Sequence, residues 1–177
     1  YYSTKLKTIL FPPDSKLQII GPNAFQNSSI ENIIIPISLI KLSKGAFSGC
    51  KKLRNVQILE KSKLEIIDYP FCDTSIECLT IPSNIKELCD CMFFNMNNLT
   101  IIKVDPSNKY FTTIDDKVLL KKSALYKENY DILCFAVRDI SKITIPNYIE
   151  TIASYAFYKC KLLKEVIFPP DSKLQII

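Results

Sequence analysis

The segment FPPDSKLQII occurs twice, letter for letter, at Phe11–Ile20 and again at Phe168–Ile177. Identity over ten positions in a chain of 177 residues is far beyond accident, so the chain contains an internal repeat. Alignment on this segment reveals turns that each open with an aliphatic residue followed by x-x-aliphatic-x-aliphatic. The turns begin at Leu6, Ile30, Leu53, Ile76, Leu99, Ile140 and Leu163. The period is close to 23 residues, with one insertion of about 18 residues before Ile140.

Most turns contain a short segment in which aliphatic residues stand two apart and a proline follows, as in Ile33–Pro36, Leu79–Pro82 and Ile143–Pro146. A spacing of two is typical of a strand with one buried face. The proline ends the strand because it supplies no N–H to a ladder. Since one turn cannot bury its own apolar face, we expect the turns to stack and their strands to pair in parallel.

The remainder of each turn also follows a pattern. A second apolar segment, such as Leu39–Leu42 or Ile149–Ile152, is expected to cover the opposite wall. An Ala-Phe pair or its equivalent then closes the turn, and the third residue after Phe is Ser28, Cys50, Thr74, Met96 or Cys160. Because paired strands lie about 4.8 Å apart, we predict that successive Phe rings form one stacked column.

Composition argues against several classes of function. The net charge is +5, but Arg54 and Arg138 are the only arginines and no basic run is interleaved with aromatic residues, so we predict no nucleic-acid partner. Histidine is absent, which removes Ser-His and Cys-His nucleophile pairs. Three glycines cannot form a glycine-rich phosphate loop, and the apolar runs are too short for a membrane span. We therefore predict a protein that is not an enzyme and holds no cofactor.

The seven cysteines do not follow the spacing of a disulfide framework or a metal site. Cys50 and Cys160 share one position of the repeat, which marks them as small core residues. Cys89-Asp90-Cys91 is a single C-x-C, and a zinc site would need two further ligands. Asp115-Asp116 is expected to be a solvated hairpin turn, because adjacent residues on a strand point to opposite faces and cannot converge on one ion. We predict no metal site.

The complete pattern, as in ITIPNYIETIASYAFYKCKLL at Ile143–Leu163, resembles the BspA-like leucine-rich repeats. These repeats occur on surface proteins of mucosal bacteria and are expanded in parasitic protists such as trichomonads. The resemblance implies an α/β solenoid, a right-handed leucine-rich-repeat horseshoe with short parallel strands on its concave face. Its convex side would carry short strands and 3-10 or helical turns. We expect residues 1–177 to be a single repeat domain and a fragment of a longer protein.

The insertion, at about residues 110–138, is also similar to the hairpins that interrupt repeats of this family. The expected arms are Ile114–Leu120 and Ile132–Val137, and the expected polar tip is Lys121–Asn129. A loop that projects from a solenoid is either a contact site or a tolerated surface insertion. Both interpretations remain open from the sequence.

The candidate binding surface is the outward face of the parallel strands. The second, third and fifth residues of each turn point away from the core, and stacking places them side by side. The predicted partner-binding residues are Lys7, Thr8, Glu31, Asn32, Ile34, Arg54, Asn55, Gln57, Glu77, Thr80, Thr100, Ile101, Lys103, Lys142 and Thr144. Exposed aliphatic residues on this face, at Leu10, Ile34, Ile101 and Ile167, favour a contact role over a merely solvated sheet.

These observations predict a non-catalytic, protein-binding repeat module. The resemblance implies an adhesin-type protein, displayed at the cell surface or secreted, whose ligand is a host-cell or matrix protein. One alternative is an intracellular protein-interaction scaffold, which unpaired cysteines would favour. Another is the recognition arm of a larger enzyme.

Overall fold

A computed structural model describes residues 4–89 and 91–177. Within these ranges the chain forms thirteen short strands and no helix. The strands are β1 (Ile19–Ile20), β2 (Asn32–Ile35), β3 (Lys41–Leu42), β4 (Asn55–Ile58), β5 (Ile66–Ile67), β6 (Cys78–Ile81), β7 (Ile101–Val104), β8 (Phe111–Ile114), β9 (Val118–Lys121), β10 (Ile132–Ala136), β11 (Lys142–Thr144), β12 (Thr151–Ile152) and β13 (Glu165–Ile167).

The parallel strand stack predicted from the aliphatic spacing is confirmed. Strands β2, β4, β6 and β7 form a four-stranded parallel sheet in that order, and β11 pairs with β13 in a second parallel sheet. The register joins equivalent positions of the repeat, because Asn32 lies opposite Asn55 and Asn55 lies opposite Cys78. Each strand buries alternate residues, with Ile33 and Ile35 inside the core and Asn32 and Ile34 outside it. The repeat is therefore a β-solenoid of about six turns.

The second wall is built from the shorter strands. Strands β1, β3 and β5 pair in parallel and bury Ile20, Leu42 and Ile67. Residues 85–88, at the equivalent position of the turn that begins at Ile76, form no strand. The second wall is interrupted there and continues at β12, whose neighbour is β10 of the insertion.

The turns close without a helix, so the predicted helical or 3-10 closure and the α/β class are wrong. The closing corners include residues 23–27, 45–49, 69–73 and 155–159. Each corner begins and ends with a residue of positive φ, such as Gly45 at 68° and Gly49 at 71°. Left-handed residues four apart cannot belong to an α-helix, because the helix needs negative φ throughout. The backbone instead bonds between turns, with Phe25 N donating to Ala46 O at 2.8 Å and Phe47 N donating to Pro70 O at 2.9 Å.

The core contains the predicted phenylalanine column. The rings of Phe25 and Phe47 stack with centroids 5.3 Å apart, and those of Phe47 and Phe71 stack at 5.8 Å. After the turn that begins at Ile76, the insertion supplies the next ring, because Phe93 stacks on Phe135 at 4.1 Å. Phe157, which the repeat pattern also assigns to the column, packs against a second core cluster that contains Ala156 and Ile152.

The insertion is a three-stranded antiparallel meander. β8 pairs with β9, β9 pairs with β10, and β10 then pairs in parallel with β12 of the second wall. The predicted first arm, Ile114–Leu120, is wrong because a turn divides it. Asp115 and Asp116 have φ values of 52° and 54°, as the two central residues of a type I′ turn require, and Lys117 N donates to Ile114 O at 2.9 Å. Both aspartates are exposed, as predicted for a solvated turn.

Arg138 joins the insertion to the turns on either side of it. Its Nη2 donates to Phe93 O at 3.1 Å, its Nη1 donates to Tyr158 O, and its guanidinium lies 4.5 Å from the centroid of the Phe135 ring. Only 8% of the residue is exposed, and this burial lowers the pKa of Arg138. The guanidinium thus links the insertion to both neighbouring turns, in addition to backbone bonds such as Ala136 N to Ala156 O at 2.9 Å.

Candidate functional site

The parallel strands present one row of outward side chains per turn, and together these rows form a surface that we call the strand face. It consists of Asn32, Ile34, Asn55, Gln57, Cys78, Thr80, Ile101, Lys103, Lys142, Thr144, Glu165 and Ile167. The register places residues of equal repeat position side by side, as with Thr80 and Lys103 or Lys142 and Glu165. A bound segment that runs across the strands would therefore contact one residue from each turn.

The predicted partner-binding residues all lie outside the core. Thirteen of the fifteen are exposed, and Thr80 and Thr100 are half-buried. Lys7 and Thr8 are exposed too, but residues 6–10 form no strand, so the first predicted row is not part of a sheet. Solvent exposure is common to any surface residue, and the binding role of these side chains stays a prediction.

The strand face is divided in two by the insertion, whereas the sequence pattern predicts one continuous face. Ile102 N donates to Asp116 O at 2.8 Å, so the β8–β9 turn occupies the edge of β7. Lys117 Nζ donates to Thr100 O at 2.9 Å and to Asp139 Oδ2 at 2.8 Å, which fixes the turn between the two sheets. The larger part of the face is the one carried by β2, β4, β6 and β7.

Charged and amide side chains on the strand face, and those of Arg54 and Glu77 just before β4 and β6, pair between neighbouring turns. Arg54 Nη1 lies 3.5 Å from Glu77 Oε1, and Lys142 Nζ lies 2.9 Å from Glu165 Oε2. Asn55 Nδ2 donates to Asn32 Oδ1 at 2.6 Å. More than half of each charged side chain is exposed, and such pairs contribute only about 0–1 kcal/mol. Their polar groups can therefore exchange partners at little cost when a ligand binds.

An apolar cavity of about 320 Å³ opens at one end of the strand face. Leu10 is 86% exposed and Ile34 is 53% exposed, and both line it. The other apolar lining residues are Ile9, Phe11, Pro12, Pro13, Ile33, Pro36, Ile37 and Leu59. Leu10 and Ile34 belong to the predicted face, but Ile37 and Leu59 were not anticipated. The sequence did contain a signal for these two lining residues, because both stand just after a strand. Ile37 follows Pro36, and Leu59 occupies a position where the repeat has proline.

The predicted tip of the insertion lies on the β9–β10 loop, next to the second wall. Tyr126 is 87% exposed and Leu125 is 54% exposed at its end. The base of the loop is fixed, because Lys127 Nζ donates to both carboxylate oxygens of Glu150, at 2.8 and 2.9 Å. Asp131 is buried and accepts bonds from Ser123 N and Ser123 Oγ, at 2.8 and 2.6 Å. The loop is therefore anchored at its base and presents an exposed aromatic side chain at its end.

The cysteines are distributed between core and surface. Cys50 is buried and its Sγ lies 3.2 Å from Ser28 Oγ, and burial raises the pKa of the Cys50 thiol. Cys78 lies on the strand face, where partial burial raises its pKa. Across residues 4–89 and 91–177 the structure contains no disulfide bond. In the same part of the chain, no three His, Cys, Asp or Glu side chains converge in a way that could hold a metal ion.

None of the described residues forms a helix long and apolar enough to cross a membrane.

A family model described as the BspA type leucine rich repeat region matches the chain in six copies, over residues 18–132 and 128–177. No curated protein matches the sequence. Among solved structures, the pneumococcal vaccine antigen PcpA is 29% identical with a TM-score of 0.85, over 97% of this chain and 42% of that protein.

Two further bacterial structures share the fold. A leucine-rich cell surface protein from Faecalibacterium prausnitzii is 22% identical with a TM-score of 0.73, over 99% of this chain and 55% of that protein. A leucine-rich repeat protein from Eubacterium ventriosum is 19% identical with a TM-score of 0.69, over 90% of this chain and 47% of that protein. The chain therefore spans about half the length of these solved proteins.

Proposed function

Because the chain belongs to the BspA-type leucine-rich repeat family, we propose that it is a non-catalytic protein-binding module of a surface-displayed, adhesin-type protein. Its ligand is a host-cell or matrix protein that lies across the strand face. The observation that carries this proposal is the apolar cavity at Leu10 and Ile34, because it adjoins a row of weakly paired polar side chains. An apolar centre with a polar rim is the usual anatomy of a protein interface.

The comparisons with known proteins support the proposed location at the cell surface. PcpA is described as a pneumococcal vaccine antigen and the Faecalibacterium prausnitzii protein as a leucine-rich cell surface protein. We also propose that the strand face is the concave face of a right-handed horseshoe. Solenoids of this kind use an extended concave surface to bind partners.

A pair of isoleucines provides the test. Ile34 on β2 is 53% exposed and lines the cavity, and Ile19 on β1 is 56% exposed on the second wall. We expect Ile34→Asp to weaken binding to immobilised matrix proteins or epithelial cells at least tenfold. Ile19→Asp adds the same charge at equal exposure and should leave binding unchanged. Equal loss in both variants, or no loss in Ile34→Asp, would contradict the proposal.

Arg54→Glu tests the polar part of the same face. The substitution places a second acid beside Glu77, whose carboxylate lies 3.5 Å from the Arg54 guanidinium. We expect weaker partner capture with a melting temperature within a few degrees of the unchanged protein, because the pair is exposed and contributes little stability. Unchanged capture would remove the centre of the strand face from the contact.

The β9–β10 loop is a second candidate contact, and its fixed base determines how it should be tested. Deletion of residues 122–130 would remove Ser123 and Lys127 and leave the buried Asp131 carboxylate without their bonds. Tyr126→Ser is a cleaner test, since Tyr126 is 87% exposed. If the loop contacts the ligand, Tyr126→Ser weakens binding without a change in stability. Unchanged binding would identify the loop as a tolerated insertion.

A further inference from the structure

Cys89 and Cys91 place two thiols side by side at the interruption of the second wall. Their Sγ atoms lie 3.7 Å apart, with Cys89 exposed and Cys91 half-buried. Cys89 also lines a groove of about 340 Å³ together with Leu88, Phe93 and Phe111. Low-molecular-weight reagents in solvent can therefore reach the pair. Asp90, between the two cysteines, lies outside the described residues.

Tyr69, in the preceding closing corner, faces this pair. A hydrogen bond with the Cys72 thiol, together with burial and the neighbouring thiols of Cys91 and Cys89, raises the pKa of Tyr69 to about 12. Cys72 is thus a possible competing thiol beside Tyr69.

We propose that Cys89 and Cys91 form a redox-active dithiol, which a low-molecular-weight disulfide such as oxidised glutathione converts to an intrachain disulfide. The proposal rests on the sulfur geometry and is independent of the proposed function. It assigns a modification site to a motif that has no role in the strand face.

The chemistry is two consecutive thiol–disulfide exchanges. One of the two thiols loses its proton to solvent, and its thiolate attacks first. The attack breaks the S–S bond of oxidised glutathione, forms a mixed disulfide on that cysteine and releases one glutathione thiolate. The other cysteine then loses its proton to solvent, and its sulfur attacks the protein sulfur of the mixed disulfide and releases the second glutathione. Two protein thiols are oxidised, and one glutathione disulfide is reduced to two thiols.

The sequence separation of the two cysteines permits the closure. Residues two apart have Cα atoms no more than about 7 Å apart even in extended chain, which is the upper limit for a disulfide. The sulfurs must approach from 3.7 Å to about 2.05 Å. Residues 85–88, just before Cys89, form no strand of the second wall, whereas the equivalent β3 and β5 pair with each other. The small ring is strained, so the bond should be reversible by reduced glutathione.

The test uses the full chain, reduced and then incubated with oxidised glutathione. Remaining thiols are alkylated, and the protein is digested with trypsin without reduction. Cleavage after Lys86 and Lys103 yields peptide 87–103, whose only cysteines are Cys89 and Cys91. We expect this peptide to lose the mass of two hydrogens and to escape alkylation. Reduced glutathione should restore both thiols.

Variants identify which two cysteines form the disulfide. In the Cys91→Ser variant, peptide 87–103 should not lose two thiols together. At most, it should carry one glutathione on Cys89. Cys78→Ser removes a half-buried thiol of the strand face and should oxidise like the unchanged chain. The proposal is overturned if peptide 87–103 remains fully alkylated, or if Cys72 or Cys134 is linked to either cysteine. Should Cys91→Ser fail to fold, the peptide mass of the unchanged chain still locates the bond.

Discussion

The ring of Phe47 stacks on the ring of Phe71 in the next turn, with 5.8 Å between the centroids and 23° between the planes. Phe25 stacks on its other side, at 5.3 Å. Each turn contributes one ring, and the closing corners that carry the rings bond to each other through their backbones. A ring in the middle of the column therefore stabilises three turns at once, because each repeat contacts only its neighbours.

Phe47→Ala should reduce the free energy of unfolding by about 3–5 kcal/mol. Phe47 is fully buried between two rings, so its removal leaves a cavity that the stacked turns cannot close. Urea unfolding measures the loss. Phe168→Ala is the control, since Phe168 is 43% exposed, and it should cost far less. A loss below about 1 kcal/mol for Phe47→Ala would show that the column does not hold the turns together.

Arg138→Ala should destabilise the protein by about 2–3 kcal/mol, because it leaves the carbonyl groups of Phe93 and Tyr158 without their charged donor. Arg54→Ala is a matched control, since Arg54 is the only other arginine and its side chain is 68% exposed. We expect Arg54→Ala to change the stability by no more than about 0.5 kcal/mol. Equal effects in chemical denaturation would contradict the bridging role of Arg138.

Gly45→Ala should cost about 1–2 kcal/mol, since Gly45 has φ of 68° and a side chain there is strained. An added Cβ would also lie 2.1 Å from Asn23 Oδ1, which must move away. Gly21→Ala is the control, because no atom lies within 4 Å of its added Cβ. Thermal unfolding compares the two variants. If Gly45→Ala and Gly21→Ala lower the stability equally, the closing corners do not depend on their left-handed residues.

The strands could be predicted because their cause is local. An aliphatic residue at every second position identifies the buried face of β2 or β6 without any knowledge of its neighbours. The phenylalanine column follows from the same argument, since stacking at the strand spacing places equivalent residues in contact. The outward residues of the strand face were identified for the same reason.

The closing corners could not be predicted from local composition. Tyr69, Tyr155 and Lys159 adopt positive φ, although neither residue type favours it. For Tyr69 the neighbouring corner provides the reason, because Gly45, which has positive φ at the same position, donates its N–H to Tyr69 O at 3.1 Å. The role of Arg138 was equally hidden, since its Phe93 acceptor is a backbone carbonyl 45 residues away. The edge of β7 is covered by the β8–β9 turn for a similar reason, through long-range pairing.

The acid stability of the protein should depend on Asp131. Burial alone would raise the pKa of this carboxyl, but bonds from Ser123 and Lys127 outweigh it and lower the pKa below the ordinary 3.8. The unfolded chain therefore binds the proton first, and the stabilisation is present above about pH 4 and is lost as the pH falls through the lower folded-state value. Asp131→Asn should cost about 2 kcal/mol near neutral pH, since an amide cannot accept all of these bonds.

The difference in unfolding free energy between the unchanged chain and Asp131→Asn should therefore shrink as the pH is lowered from about 6 to about 2. Urea titrations at each pH measure it. Asp14→Asn controls for the general effect of a lost charge, because Asp14 is exposed, and its small difference should show no comparable loss. A gap for Asp131→Asn that stays constant over this range would mean that the carboxylate does not hold the base of the β9–β10 loop through its charge.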